Sequence, residues 1–262
     1  MTERAEPLDH GVQIDRVAVV IPAHNEDRHL GRALHALQRA LERLDRQRPG
    51  VEAGVTVVLD SCADRSAAVT EVFASMDPRF SALAVRLRST GGSRAAGARA
   101  AGIGGVRAGS AAQLRAHSTW LANTDADSAV PENWLVRQLE LADAGADAVL
   151  GSVEPDPTGM DPAVLRRWLE KHPFLEDHPH IYGANFGVRA SAYLAAGGFP
   201  LLRVHEDRVL VERLRNRAFA VVATDSMRVL TSGRTHARAP HGFAAYLRAL
   251  GLERPAAAEL MD

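Results

Sequence analysis

Asp125 and Asp127 stand two residues apart in the segment Asn123-Thr124-Asp125-Ala126-Asp127, just past the short apolar run Thr119 to Ala122. Two carboxylates at this spacing beyond a strand can share a hard cation such as Mg²⁺ or Mn²⁺. That cation can in turn neutralise the phosphates of a diphosphate leaving group. The same residue types also suit an ordinary turn, so the pair gains meaning only from the elements that hold it.

Those elements alternate short β-branched runs with longer helical patterns, which predicts parallel strands covered by helices. Strands are expected at Arg16 to Pro22, Val55 to Leu59, Leu83 to Leu87, Thr119 to Ala122 and Ala148 to Val153. Leu30, Leu34, Leu37, Leu41 and Leu44 recur at spacings of three and four and predict one buried face of a helix over Glu26 to Arg43. Further helices are expected at Ser66 to Ala74, around Ala95 to Val106, and at Pro131 to Ala144, Ala163 to Lys171 and Arg208 to Arg217. The expected strands end in polar or glycine residues. In open parallel sheets ligands bind beyond the carboxyl ends of the strands, so these ends form one candidate site.

Length and composition set outer limits. A chain of 262 residues with 46% hydrophobic and 24% charged residues can build one large α/β domain with a substantial core. The expected organisation is an N-terminal extension over 1–15 and one domain over 16–262. Residues 16–130 would form its nucleotide-binding half, and 131–250 would complete the site. A net charge of −1 without a basic stripe argues against a nucleic-acid partner. Cys62 is the lone cysteine, which excludes an internal disulfide and fits a cytoplasmic location. Met1 to Asp15 hold no apolar run that would serve as a signal peptide, and nothing reaches the roughly 20 apolar residues of a membrane span.

The strand ends carry an ordered set of motifs. Val20-Ile21-Pro22-Ala23-His24-Asn25-Glu26 closes the first, and Leu59-Asp60-Ser61-Cys62-Ala63-Asp64-Arg65-Ser66 follows the second. With the later D-A-D, this order resembles the family 2 glycosyltransferases over roughly residues 16 to 250. The resemblance implies the GT-A fold and inverting transfer from a nucleotide-sugar. Pro22, Ala23, His24, Asn25 and Glu26 would then line the donor pocket. Asp60 would bond the base or ribose, Asp125 the ribose or metal, and Asp127 would be the direct metal ligand. Asn25 also suits a helix N-cap and Asp60 a plain strand-to-helix turn.

Gly91-Gly92-Ser93-Arg94-Ala95-Ala96-Gly97-Ala98-Arg99 resembles the family's G-x-x-x-A-R-N segment, with Ala100 in place of the usual asparagine. Arg99 would brace the aspartates, while the glycines read better as close helix packing. The spacing of Gly97, Gly102 and Gly104 does not match a dinucleotide fingerprint. Tyr182-Gly183-Ala184-Asn185-Phe186-Gly187-Val188-Arg189 resembles the family's G-A-N-x-x-x-R stretch, which assigns Gly183, Ala184 and Asn185 to the acceptor side. In His205-Glu206-Asp207 the resemblance makes Asp207 the general base that deprotonates the acceptor hydroxyl, with Glu206 as a neighbour that would orient the acceptor or adjust the base's pKa. The same two acids also suit the first turn of a helix.

His236, late in the chain, falls where several enzymes of this fold place a further metal ligand, and imidazole favours Mn²⁺ over Mg²⁺. Arg234 and Arg238 would either close over a diphosphate or remain solvated. The histidines from His172 to His180 match no zinc spacing and read as a mobile polar loop. Phe243, Tyr246, Leu247 and Leu250 at helical spacing suit a docked helix or contact with a membrane surface. The acceptor stays open between a small molecule, a glycan and a lipid-linked sugar. Two rivals to transfer are a nucleotidyltransferase and a catalytically silent nucleotide-sugar binding module. The first would need a basic glycine-rich loop after the first strand, which Pro22 to Glu26 does not provide.

Overall fold

A computed structural model describes residues 12–104, 115–235 and 243–252. The chain divides into two compact units, one from Met1–Glu154 and Leu175–Thr231, the other from Pro155–Phe174 and Ser232–Asp262. The first is built on an eight-stranded sheet. Its elements in chain order are β1 (Arg16–Ala23), α1 (Leu30–Gln47), β2 (Glu52–Asp60), α2 (Ser66–Met76), β3 (Phe80–Val85), α3 (Thr90–Ala100), β4 (Thr119–Asn123), β5 (Ser128–Ala129), α4 (Trp134–Asp143) and β6 (Ala148–Pro155). After α5 (Pro162–Lys171) come β7 (Phe186–Arg189), α6 (Ala190–Ala195), α7 (Glu206–Asn216), β8 (Val221–Thr231) and α8 (Phe243–Leu252).

The strand order is β3-β2-β1-β4-β7-β6-β8-β5. β3, β2, β1 and β4 pair in parallel, as the alternating pattern predicts, with Val20 opposite both Thr56 and Asn123. β7 then joins β4 and β6 antiparallel, and β5 pairs antiparallel with β8, so the sheet is mixed. Sequence reading assigned no strand to β5, β7 or β8. The first two are only two and four residues long, and β8 interleaves Thr224, Asp225, Ser226 and Arg228 with its apolar positions.

Two helix starts differ from expectation for a local reason. Residues 26–29 do not continue α1 back from Leu30. The amide of Glu26 bonds Ser66 Oγ at 2.9 Å, the amide of Asp27 bonds Asp64 Oδ2 at 2.9 Å, and Asn25 is left-handed with φ 53°. These bonds tie the β1 exit to the β2 exit instead of to a helical turn. Asn25 is thus no N-cap; its Oδ1 accepts from the Ala63 amide at 2.8 Å. Conversely, α3 starts five residues earlier than read, because Ser89 caps it by accepting from the Gly92 amide at 3.1 Å.

The leucine face of α1 is buried as the spacing predicts, and the helix packs on α2, α4 and β5. A separate core gathers Ala18 and Val20 of β1, Val58 of β2, Ala95 and Ala98 of α3, Phe186 and Val188 of β7, and Leu210 and Leu214 of α7. Gly97 makes this contact close. A Cβ there would lie 2.5 Å from Val20 Cγ1 and 3.0 Å from Val58 Cγ2. In the second unit Trp168 of α5 meets Phe243 of α8 edge-on, and Arg167 Nη1 donates to the Leu250 carbonyl at 2.6 Å. Leu247 and Leu250 are buried, so this helix docks as a core element.

Gly97→Ala should destabilise the protein by about 1 kcal/mol, because overpacking against two β-branched side chains outweighs alanine's better helix propensity. Urea unfolding should show a lower midpoint with an unchanged slope.

Candidate active site

The exit of β4 and the start of α7 converge on a buried arginine, Arg94, in the second turn of α3. Its Nη2 donates to Asp125 Oδ1 at 2.5 Å and its Nε to Glu206 Oε1 at 3.1 Å. The guanidinium carbon lies 5.9 Å from the centre of the Phe199 ring. Nη1 is buried and has no hydrogen-bond partner among the described residues. Burial opposes the charge on Arg94, but Asp125, Glu206 and Asp207 together outweigh it and hold the guanidinium above its ordinary value.

The acids respond in the opposite sense. Burial pushes both Asp125 and Glu206 above the usual carboxylate range, Arg94 pulls them back, and neighbouring carboxylates add to the rise. For Asp125 those neighbours are Asp207 and Glu26; for Glu206 they are Asp207 and Asp125. Four carboxylates and one arginine thus share a small volume. Asp125 keeps 37% of its side chain exposed, whereas Glu206 keeps 6% and faces Arg94.

Gly183 is the point where this cluster meets the second half of the unit. A Cβ on it would lie 2.7 Å from Arg94 Nη2 and 3.3 Å from Asp207 Oδ2, so only glycine permits the approach. A short 3₁₀ turn over Gly183–Asn185 carries it. Asp207 is partly exposed, and its Oδ1 accepts from the Arg208 amide at 2.7 Å. Both acids do begin helix α7, and His205 before them is left-handed with φ 64°.

Several sequence expectations are corrected here. Arg94, not Arg99, braces the aspartate; Arg99 is exposed at the far end of α3 beside Gly104. Asn185 is fully buried and does not face an acceptor. Its Nδ2 donates to the carbonyls of Ser152 (2.8 Å) and Met227 (2.9 Å), and its Oδ1 accepts from Trp134 Nε1 at 2.8 Å. The arginine of that stretch, Arg189, is likewise structural, donating to the carbonyls of Val12, His117 and Ala142. Ala184 is buried beside it. The His172 to His180 segment is largely exposed, as expected of a polar loop, although His178 is buried and the Asp177 amide bonds the Ala223 carbonyl at 3.2 Å.

Asp60 is also engaged by the chain itself. Its Oδ1 accepts from the Leu87 amide (2.8 Å) and Ser61 Oγ (3.0 Å), and its Oδ2 from the Ser89 amide (3.1 Å) and Ser93 Oγ (2.9 Å). Burial raises this carboxyl, but the combined hydrogen bonds more than reverse that and hold it below its ordinary value. It therefore fastens the loop before α3 to the end of β2, leaving little capacity for a base or ribose. His24 bonds the Asp60 carbonyl through Nδ1 at 2.6 Å, and Pro22, Ala23 and Glu26 line the β1 exit beside it.

Sequence reading missed Asn123 and Thr124. Both are buried directly before Asp125, and Asn123 Oδ1 and Nδ2 and Thr124 Oγ1 have no hydrogen-bond partner among the described residues. Two polar residues closing an otherwise apolar strand were the available signal. Asp127 is partly exposed, and Ser128 Oγ lies 3.4 Å from its Oδ1. Among the described residues no group of three or more His, Cys, Asp or Glu is placed to hold a metal ion. Asp125 and Asp127 still fit Mg²⁺ or Mn²⁺, which commonly bind one or two carboxylates and complete their shell with phosphate and water oxygens. His236 and Arg238 lie outside the described residues.

Asp60→Asn replaces one acceptor oxygen by an amide donor facing donors, so it should lower stability at pH 7. Because the native carboxyl titrates below 3.8, its contribution is present above that value and is lost as pH falls further. The stability gap between variant and wild type should therefore narrow below pH 3.8 in chemical denaturation measured across pH.

Comparison with solved structures gives the same fold. A mannosyltransferase from Pyrobaculum calidifontis, in complex with GDP-Man and Mn²⁺, aligns with TM-score 0.58 and 19% identity over 92% of this chain. GalNAc-T7 with UDP, GalNAc and Mn²⁺ aligns with TM-score 0.59 and 14% identity over 84%. A mycobacterial protein aligns with TM-score 0.51 and 14% identity, covering 91% of this chain and 74% of its own. The present chain spans 62% of the first of these structures and 44% of the second. No curated protein matches the sequence. The sequence profile described as Glycosyl transferase family 2 matches residues 18–195, about two thirds of the chain, and the chain belongs to that family.

Proposed function

We propose that the protein is an inverting glycosyltransferase that moves a sugar from a UDP- or GDP-sugar to an acceptor hydroxyl with the help of a divalent cation. The observation that carries this reading is the junction at Arg94. One guanidinium holds Asp125, at the end of the donor-side strand β4, and Glu206, next to Asp207 at the start of α7. Donor and acceptor groups thereby share one rigid mount, which is what a displacement at a sugar carbon requires.

In this reading the β1 exit (Pro22 to Glu26) receives the nucleotide, and Asn123 and Thr124 supply buried polar atoms close to Asp125. Asp127 is the metal ligand, with Asp125 beside it. Mn²⁺ or Mg²⁺, when bound, offsets the charge of the departing diphosphate. Mn²⁺ accompanies the nucleotide ligands named for two of the fold neighbours, which favours it as the first ion to test. Asp207 accepts the proton of the acceptor hydroxyl as that oxygen attacks the sugar carbon and the bond to the diphosphate breaks. Gly183 lets the chain pass close to Arg94 and Asp207. Glu206, turned to Arg94 and buried, positions its neighbour and does not meet the acceptor.

Titration calorimetry with UDP, GDP and Mn²⁺, followed by a panel of nucleotide-sugars assayed for hydrolysis and transfer, tests this directly. Absence of both nucleotide binding and donor turnover across the panel would falsify it, and binding without turnover would leave a silent binding module. Asp127→Ala should abolish metal-dependent nucleotide binding. Asp207→Asn should preserve that binding and lower transfer by a factor on the order of 10² to 10⁴, the usual worth of a general base. A fully active Asp207→Asn enzyme removes Asp207 from that role.

A further inference from the structure

The mouth beside Asp207 is bordered by a surface that the transfer chemistry does not use. Two loops meet there, Arg86 to Ser89 ahead of α3 and Pro200 to His205 ahead of α7. The Leu202 carbonyl joins them, accepting from the Gly91 amide at 3.0 Å and from Ser89 Oγ at 2.7 Å. Gly91 makes the approach possible, since a Cβ there would lie 2.0 Å from the Pro200 carbonyl oxygen. Asp60 secures the first loop through the Leu87 and Ser89 amides, and Arg88 and His205 hold left-handed turns at φ 50° and 64°.

This fixed rim presents large apolar side chains to solvent. Leu201 is 72% exposed, Leu87 44% and Leu202 42%. Arg86, Arg88, Arg203, His205 and Arg208 are exposed around them. Neither loop contains an acid between Arg86 and Gly92 or between Pro200 and His205; the next acids are Glu206, turned inward to Arg94, and Asp207 in the site. Leucines framed by arginines, without aromatic anchors or acids, suit a surface that is apolar beneath a layer of negative charge. Protein partners more often engage buried aromatic hot spots.

We infer that this rim docks on an anionic lipid bilayer, with the leucines entering the headgroup boundary and the arginines meeting lipid phosphates. Docking would set Asp207 at the membrane face and point to an acceptor carried by a lipid. The position of Asp207 rests on the functional reading above; the docking itself does not.

Co-sedimentation with phosphatidylglycerol-containing vesicles and with pure phosphatidylcholine vesicles reads the docking without any activity assay. The wild-type chain should bind the anionic vesicles, bind the neutral ones far less, and dissociate as salt is raised. Arg203→Ser should weaken binding on the order of fivefold, as expected for one juxtamembrane charge. Leu87→Ser with Leu201→Ser should weaken it further, and circular dichroism would verify that these surface variants remain folded. Equal binding to neutral vesicles, no binding to either, or binding indifferent to these substitutions would each overturn the inference. UDP or GDP titration of the same samples separates the two readings. Nucleotide binding without vesicle binding defeats only the docking surface, and vesicle binding without nucleotide binding defeats only the transferase reading.

Discussion

The charge balance around Arg94 is the constraint on which the rest of the site depends. A guanidinium keeps its charge even at 1% exposure, so burying it is costly unless carboxylates approach it closely, as Asp125 and Glu206 do. The buried Glu206 and the partly exposed Asp125 are in turn pulled back toward the ordinary carboxylate range by Arg94. Gly183 must be glycine to admit this group, Gly91 must be glycine to let the neighbouring loop close over α3, and Phe199 covers the guanidinium with a ring. Removing any one of these features would leave a charge unpaired or a loop displaced.

Around this centre the backbone is unusually constrained. Asn25, Ser61, Arg88 and His205 all adopt left-handed conformations, and each lies at a strand exit or just before a helix that opens on the site. Such residues persist only where surrounding bonds hold them. Here those bonds are visible: Asn25 on Ala63, Asp60 on the Leu87 and Ser89 amides, and Ser89 on Leu202. The walls at these strand exits are therefore held by hydrogen bonding among the loops themselves.

Much of the fold was legible because its signals are local. The β-branched runs gave the parallel strands and the leucine spacing gave the buried face of α1. The acids at 125, 127, 206 and 207 were legible for the same reason, since each closes or opens an element. What escaped required a helix boundary or a long-range bond. The A-R-N pattern fell on Ala98-Arg99-Ala100 and pointed to Arg99, while the helix read from about Ala95 left Arg94 outside it. Five residues turn a helix through about 500°, so the two side chains leave it roughly 140° apart, and the face of α3 toward Asp125 and Glu206 carries Arg94. Asn185 and Asp60 look like binding residues because they are polar and lie at element ends. Their hydrogen-bond partners come from segments far along the chain, which no local pattern reveals.

Asn185 also bears on the order in which the molecule can form. Its three bonds reach back to Trp134 and Ser152 and forward to Met227, while Arg94 waits for Glu206, 112 residues further on. The parallel half, β1 to β4, brings Arg94 to Asp125, yet the second carboxylate partner of that guanidinium is absent until α7 is made. The turn at Gly183 cannot lock until β8 is made. Completion of the site therefore depends on contacts of high sequence separation, and until β7 is made the β4 edge has no partner strand on that side.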